Sequence, residues 1–273
     1  MRLPIGSFSM RCDLDLFARP EYAYGIQQAA TLAKQLGYDA VSVIEFGVAG
    51  GCGLLAMESA AQQAQAALGV RVEVYGFDRA AGLPPPLDYR DLPYHWQPGF
   101  FEMDMAALRR RLTTAQLIIG DLAQTVPEFI TRSVAPVGFV AVDVDLYSST
   151  VDALKLFDAG SDLLLPRALC YLDDTISEDY VLQNEYVGEL AAISEYNARH
   201  DNRKISPING LVHKRLRRAA WCDAMFAFHW FDHPQYGSYI GPASVEVGQT
   251  LPLSERRLDG LRRLCGRHKR DET

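Results

Sequence analysis

One stretch, Val43-Ile44-Glu45-Phe46-Gly47-Val48-Ala49-Gly50-Gly51-Cys52-Gly53, restricts the fold more than any other part of this 273-residue chain. An apolar run carrying an acid meets a glycine-dense turn, and the turn opens straight into a helix-like segment over 54–68. Glycine lets the backbone adopt positive φ and approach a ligand closely, and a helix that starts there presents unpaired N–H groups. This is the layout of a nucleotide-type cofactor site at the carboxyl edge of a parallel sheet.

The rest of the chain alternates around that turn. Apolar runs predict strands over 40–46, 70–77, 115–119, 137–144 and 168–172. Between them, helical spacing predicts helices over 22–36 (opened by Pro20 and Glu21, closed by Gly37), 54–68, 104–112, 125–132, and from Ser148 or Ser149 as cap to 159. Strands without polar alternation are buried on both faces, so the expected fold is an open, doubly wound α/β sheet. A helix over 180–200 and two late strands over 205–212 and 224–231 would complete seven mostly parallel strands with an antiparallel edge. A single domain over 1–273 is expected, with a helical cap (1–39), a core (40–175) and a carboxyl-terminal part (176–273). The loop over 79–102 carries Pro84, Pro85, Pro86, Pro93 and Pro98 and many aromatics, as a substrate lid would.

Composition narrows the function classes. A hydrophobic share of 48% is ample for a core, and a net charge of −7 argues against nucleic acid or an anionic membrane as the main partner. The basic clusters at 109–111, 214–218 and 262–270 read as solvated faces. Five scattered cysteines form no metal-type pair, and the start of the chain lacks the pattern of a signal peptide. No apolar run reaches the roughly 20 residues that span a bilayer. A soluble, cytoplasmic protein is expected.

Three features fall at successive strand ends. Glu45, Gly47 and Gly51 form an E-x-G-x-x-x-G spacing, which is not the dinucleotide fingerprint. Asp78 follows the second strand, where a carboxylate can accept from two ribose hydroxyls. Gly120 and Asp121 follow the third, placed to border an adenine. Further on, Asp143 and Asp145, two apart on a strand end, are expected to project to one face, and Asp173 and Asp174 end the next strand. Four carboxylates at adjacent strand ends repel unless a cation compensates, and an all-oxygen set suits Mg²⁺ or Ca²⁺.

These stretches resemble class I S-adenosylmethionine-dependent methyltransferases, and more closely the macrocin O-methyltransferase family of metal-dependent sugar O-methyltransferases. The resemblance rests on VIEFGVAGG (43–51), YGFDRAAGLPPP (75–86), IIGDLAQTVPEF (118–129), VAVDVDLYSST (140–150) and CYLDD (170–174). It implies S-adenosylmethionine bound through Glu45, Gly47, Val48, Gly51, Asp78, Gly120 and Asp121, with Asp143 beside it. It also implies a divalent ion, Mg²⁺ or another, on Asp143, Asp173 and Asp174, and leaves Asp145 as a base or orienting group.

The implied activity is O-methylation of a hydroxylated small molecule, a sugar or glycoside diol being the expected form, in secondary metabolism. The sulfonium methyl is already activated, so the protein aligns and deprotonates the acceptor. His95, beside Trp96 in the proline-rich loop, is a second candidate for that base. The segment before residue 20 and the aromatic run 226–231 are the surfaces available for a homodimer. Two readings stay open beside this one: an NAD-type oxidoreductase on a similar sheet, and a binding protein that keeps the fold without turnover.

Overall fold

The computed structural model describes residues 6–241, and the elements below all belong to the unit Met1–Ser238. Its sheet contains β1 (Ala40–Phe46), β2 (Arg71–Asp78), β3 (Gln116–Ile119), β4 (Val137–Val142), β5 (Leu164–Leu172), β6 (Arg203–Pro207) and β7 (Met225–Trp230). The strand order is β3-β2-β1-β4-β5-β7-β6. β1 and β4 are buried at every position, as expected of central strands covered on both faces.

Neighbours among the first five strands pair in parallel, and β7 runs antiparallel to both β5 and β6. The antiparallel strand is therefore one place in from the edge rather than at it. Composition accounts for this. β7 places Phe226 and Phe228 in the core, whereas β6 buries only Ile205 and ends in Pro207, which suits an edge. Two aromatics expected to be available to a second copy of the chain are thus core residues.

The helices are α1 (Phe8–Asp13), α2 (Pro20–Gln35), α3 (Cys52–Leu68), α4 (Met105–Arg109), α5 (Leu122–Ile130), α6 (Tyr147–Leu154), α7 (Gly188–Arg199) and α8 (Leu211–Lys214). The alternation of side chains along each strand sorts them into two cores. Val41, Val43, Phe139 and Ala141 pack beneath α2 and α3 with Tyr22, Ile26 and Met57. Ile44, Phe46, Val140 and Val142 face the opposite way, against Phe129, Phe157 and Tyr196. α7 begins at Gly188 rather than near residue 180, because Leu182 and Gly188 both take positive φ, which interrupts a helix. Among the described residues, no helix is long and apolar enough to cross a membrane. The basic cluster at 262–270 lies outside the described residues.

α2 lies tight against the sheet at Gly25, where an added Cβ would stand 2.3 Å from ring atoms of the fully buried Phe139. Alanine there would gain about 1 kcal/mol of helix propensity but incur about 1–3 kcal/mol of overpacking. Gly25→Ala is therefore expected to lower stability in a denaturant titration, despite favouring the helix.

Candidate active site

Strand register brings the predicted residues to one edge. Phe46 pairs with Phe77 and with Val142, Asp78 with Ile119, and Val142 with Leu172. The residues that follow, Gly47, Gly120, Asp143 and Asp173, leave the sheet at one level. The chain order reverses between β1 and β4, and the crevice at such a switch point is where open α/β sheets bind ligands. A cavity of about 800 Å³ opens there, lined by Glu45, Gly47–Gly53, Asp78, Asp121, Asp143, Asp145, Asp173 and Asp174 among others.

The glycine turn is shaped by what it must avoid. Gly47 has φ +85°, and a Cβ on it would lie 1.6 Å from the carbonyl oxygen of Asp143. On either side of that crossing, Gly47 N–H donates to Phe77 O (2.9 Å) and Asp143 N–H to Phe46 O (2.8 Å). Gly53 is needed for a different reason. Its Cβ would fall 1.9 Å from Glu45 Oε1, so the missing side chain makes room for a carboxylate inside the protein. Glu45 is fully buried and accepts from Tyr22 Oη at 2.8 Å, while its Oε2 has no hydrogen-bond partner among the described residues. Burial, then the nearby Asp143, pushes its carboxyl well above the usual range.

Asp78 holds this turn in place. Its Oδ2 accepts from Val48 N–H (2.9 Å) and Ala49 N–H (2.8 Å), and its Oδ1 from Ala80 N–H (2.5 Å). A carboxylate has about four acceptor positions, so Asp78 keeps roughly one for a ligand rather than the two expected of it. Asp121 lines the cavity and is held by Arg79, with Nε 2.5 Å from Oδ1. Arg79 carries no periodic or motif signal beyond following Asp78.

The acids gather, though not as a strand would place them. β4 ends at Val142, and Asp145 takes φ +64°, so Asp143 and Asp145 sit in a turn rather than on one strand face. That turn is fixed from β5's end, where Asp174 Oδ2 accepts from Asp145 N–H at 3.1 Å. Asp173 accepts from Tyr171 Oη at 2.7 Å, and Arg19 Nη1 lies 3.9 Å from its Oδ1. Burial, then Asp173 and Asp174, pushes the Asp143 carboxyl up to about 8. Burial, then Asp143 and Asp173, does the same to Asp145, also to about 8. Asp174 is held well above its ordinary range by burial and then by Asp145 and Asp173. Among the described residues, no three His, Cys, Asp or Glu side chains converge on a point that would hold a metal as they stand.

The proline-rich loop forms the facing wall through Leu83, Pro84, Pro85, Trp96, Phe100 and Phe101. Its anchor is Asp91, fully buried, which accepts from Leu87 N–H (2.7 Å), Ser148 N–H (2.7 Å) and Ser148 Oγ (3.1 Å). Asp91 thereby takes the capping role expected of Ser148 or Ser149, because α6 starts two residues early, after Leu146, with no side-chain cap of its own. Arg90 stacks 4.0 Å from the Tyr147 ring and pairs with Glu195 at 2.7 Å. The structure brings Trp96 to the cavity, whereas His95 Nδ1 lies 2.8 Å from Tyr180 Oη and its Nε2 3.8 Å from Glu178. Asp91, Arg19 and Arg79 carry no sequence signal that separates them from the chain's other charged residues.

No protein-family model matches the chain, and no curated protein is similar to it in sequence. Solved structures are similar in fold. One described as the O-methyltransferase NovP aligns over 77% of this chain and 79% of its own at 17% identity, with a TM-score of 0.52. Another, CalS11, a calicheamicin methyltransferase, aligns over 85% of this chain and 88% of its own at 19% identity, with a TM-score of 0.50. The shared fold is the seven-stranded, mostly parallel Rossmann-like sheet of these methyltransferases.

Two outcomes follow from the geometry. Gly47→Ala drives a Cβ into a backbone carbonyl at positive φ, and a loss of about 2–4 kcal/mol is expected in thermal or denaturant unfolding. The second concerns pH. Asp145 ionises at an ordinary 3.8 in the unfolded chain and near 8 when folded, so the folded protein keeps a proton that the unfolded chain releases between those values. Its contribution to stability is therefore lost as pH rises from about 4 to 8. Asp145→Asn removes that loss. In melts without added metal, it should stabilise the protein by more than about 1 kcal/mol at pH 8 and by far less at pH 4.

Proposed function

We propose that this chain is an S-adenosylmethionine-dependent O-methyltransferase that works with a divalent cation, Mg²⁺ or a close relative, on a hydroxyl of a small molecule, in the form of a sugar or glycoside diol. The observation that carries the reading is that a glycine turn and an all-oxygen acid cluster open into one cavity on a methyltransferase-type sheet. Hydride transfer on a nicotinamide gains no comparable support, since the turn lacks the G-x-G-x-x-G spacing.

The residues fit the groups the reading requires. Gly47 and Gly51 let backbone approach the nucleoside amino acid. Glu45 Oε2 is an acceptor free for an ammonium group. Asp78 offers its remaining acceptor position to a ribose hydroxyl, and Gly120 and Asp121 border the base. For the metal, the test is the donor set. Asp143, Asp173 and Asp174 are hard oxygen donors beside Asp145, and Asp143 and Asp174 are buried next to like charges, which is the condition a dication relieves. Those three aspartates would hold it, once their side chains converge from the partners they now have. A bound dication supplies Lewis acidity that lowers the acceptor hydroxyl's pKa.

The protein's own work is alignment and proton transfer. The apolar wall from Leu83 to Phe101 seats the body of the acceptor and excludes water. Asp145 lines the cavity beside those three aspartates and is the carboxylate placed to take the hydroxyl proton. S-adenosylmethionine, once held by these residues, would supply a methyl group already activated for transfer to the deprotonated oxygen, with S-adenosylhomocysteine as the leaving group. Asp145 is favoured over His95 because it lines the cavity, while His95 is engaged by Tyr180.

Calorimetry with S-adenosylhomocysteine and a methyl-transfer assay on pooled diol-bearing glycosides, with Mg²⁺ or with excess EDTA, test the reading. The expected result is nucleoside binding and a loss of about a hundredfold or more in transfer on chelation. Full turnover in EDTA would remove the metal from the reaction. Absence of nucleoside binding would remove the reading as a whole.

A further inference from the structure

One buried charge near the cavity has no part in the scheme above. Glu189, in the first turn of α7, is 1% exposed. Its Oε2 accepts from Asp174 N–H at 3.2 Å, and Asp174 in turn accepts from Asp145 N–H. Its Oε1 is buried with no hydrogen-bond partner among the described residues. An acid in a first helical turn commonly answers the helix's own N–H groups, but this one reaches across to the end of β5 instead. An uncompensated buried carboxylate costs several kcal/mol, and an apolar side chain would fill the same space at no such cost. Its hydrogen-bond partner among the described residues, Asp174, belongs to the acid cluster that lines the cavity.

We propose that Glu189 is a positioning residue of the dication site, which holds Asp174 and through it the Asp145 turn from behind, and turns its unpartnered oxygen to the ion's outer shell. The proposal rests on the metal-dependent reading. It explains why a carboxylate is retained where hydrogen bonding to one N–H would not require a charge. It also explains the left-handed turn at Asp145, held by the second link of the same relay. Outer-shell partners of metal ligands orient those ligands, and their loss typically costs about 10–100-fold in metal affinity.

The test uses the full chain and its Glu189→Gln and Glu189→Ala variants. Mg²⁺ binding and S-adenosylhomocysteine binding are measured by calorimetry, and melting is followed in EDTA. Glu189→Gln keeps the size and an acceptor for Asp174 N–H and removes the charge. The expected result is Mg²⁺ affinity weakened at least about tenfold in Glu189→Gln, nucleoside affinity within twofold of the parent, and a melting temperature in EDTA no lower than the parent's. Mg²⁺ affinity within twofold of the parent overturns the proposal while leaving the metal reading intact. Loss of nucleoside binding in Glu189→Gln overturns it as well, by making Glu189 a support of the whole fold. A parent chain that binds the nucleoside but not Mg²⁺ overturns the metal reading and this proposal together.

Discussion

The crossing of two loops at Gly47 is the constraint on which the candidate site depends. Where β1 ends, the chain must turn over the carbonyl of Asp143, and there is no room for even one methyl group. The two N–H bonds that lock the crossing tie β1 to its neighbours on either side, Gly47 to β2 and Asp143 to β1. The same contact that opens the glycine-turn side of the cavity therefore also sets where the acid-bearing turn begins. Asp78 completes the arrangement by gathering N–H groups from the glycine turn and from the start of the proline-rich loop.

Around that crossing acidic side chains gather, and among the described residues few cations oppose them. Arg19 approaches Asp173 only at 3.9 Å, and Arg79 is committed to Asp121 at 2.5 Å. Glu45, Asp143, Asp145, Asp174 and Glu189 are all buried enough to favour their protonated forms. Structure built only for stability would replace such groups with apolar ones. A cluster of this kind fits a site that receives a positive ligand, and two are at hand in the proposed chemistry: a sulfonium and a dication.

The fold was legible because its signals are local and strong. The run Val43–Phe46 and the glycines after it specify a strand, a turn and a helix within a few residues, and β4 and β5 follow from apolar runs of the same kind. Positions at strand ends were legible for the same reason, which is why Glu45, Asp78, Asp121, Asp143 and Asp173 all reach the cavity. What those groups do once there was less so. Asp78 reads as open to two ribose hydroxyls until its three backbone partners are seen, which leave it about one acceptor position, and Asp143 and Asp145 read as one strand face until the turn at Asp145 is seen. Asp91 and Glu189 act across 57 and 15 residues of chain, respectively, onto Ser148 and Asp174. No period or motif encodes such long-range bonds, so these two were invisible in the sequence. The edge order of β6 and β7 was hidden for a similar reason: it depends on which strand buries more apolar surface, not on which comes last.

The central claim is that one cavity joins a nucleoside cradle to a cation site. Anomalous diffraction from a crystal soaked with Mn²⁺ and S-adenosylhomocysteine tests it most directly. The account predicts a metal peak among Asp143, Asp173 and Asp174 together with the nucleoside lying along Gly47 to Gly51. A nucleoside bound there with no metal peak among those aspartates, or a metal bound elsewhere, would contradict it.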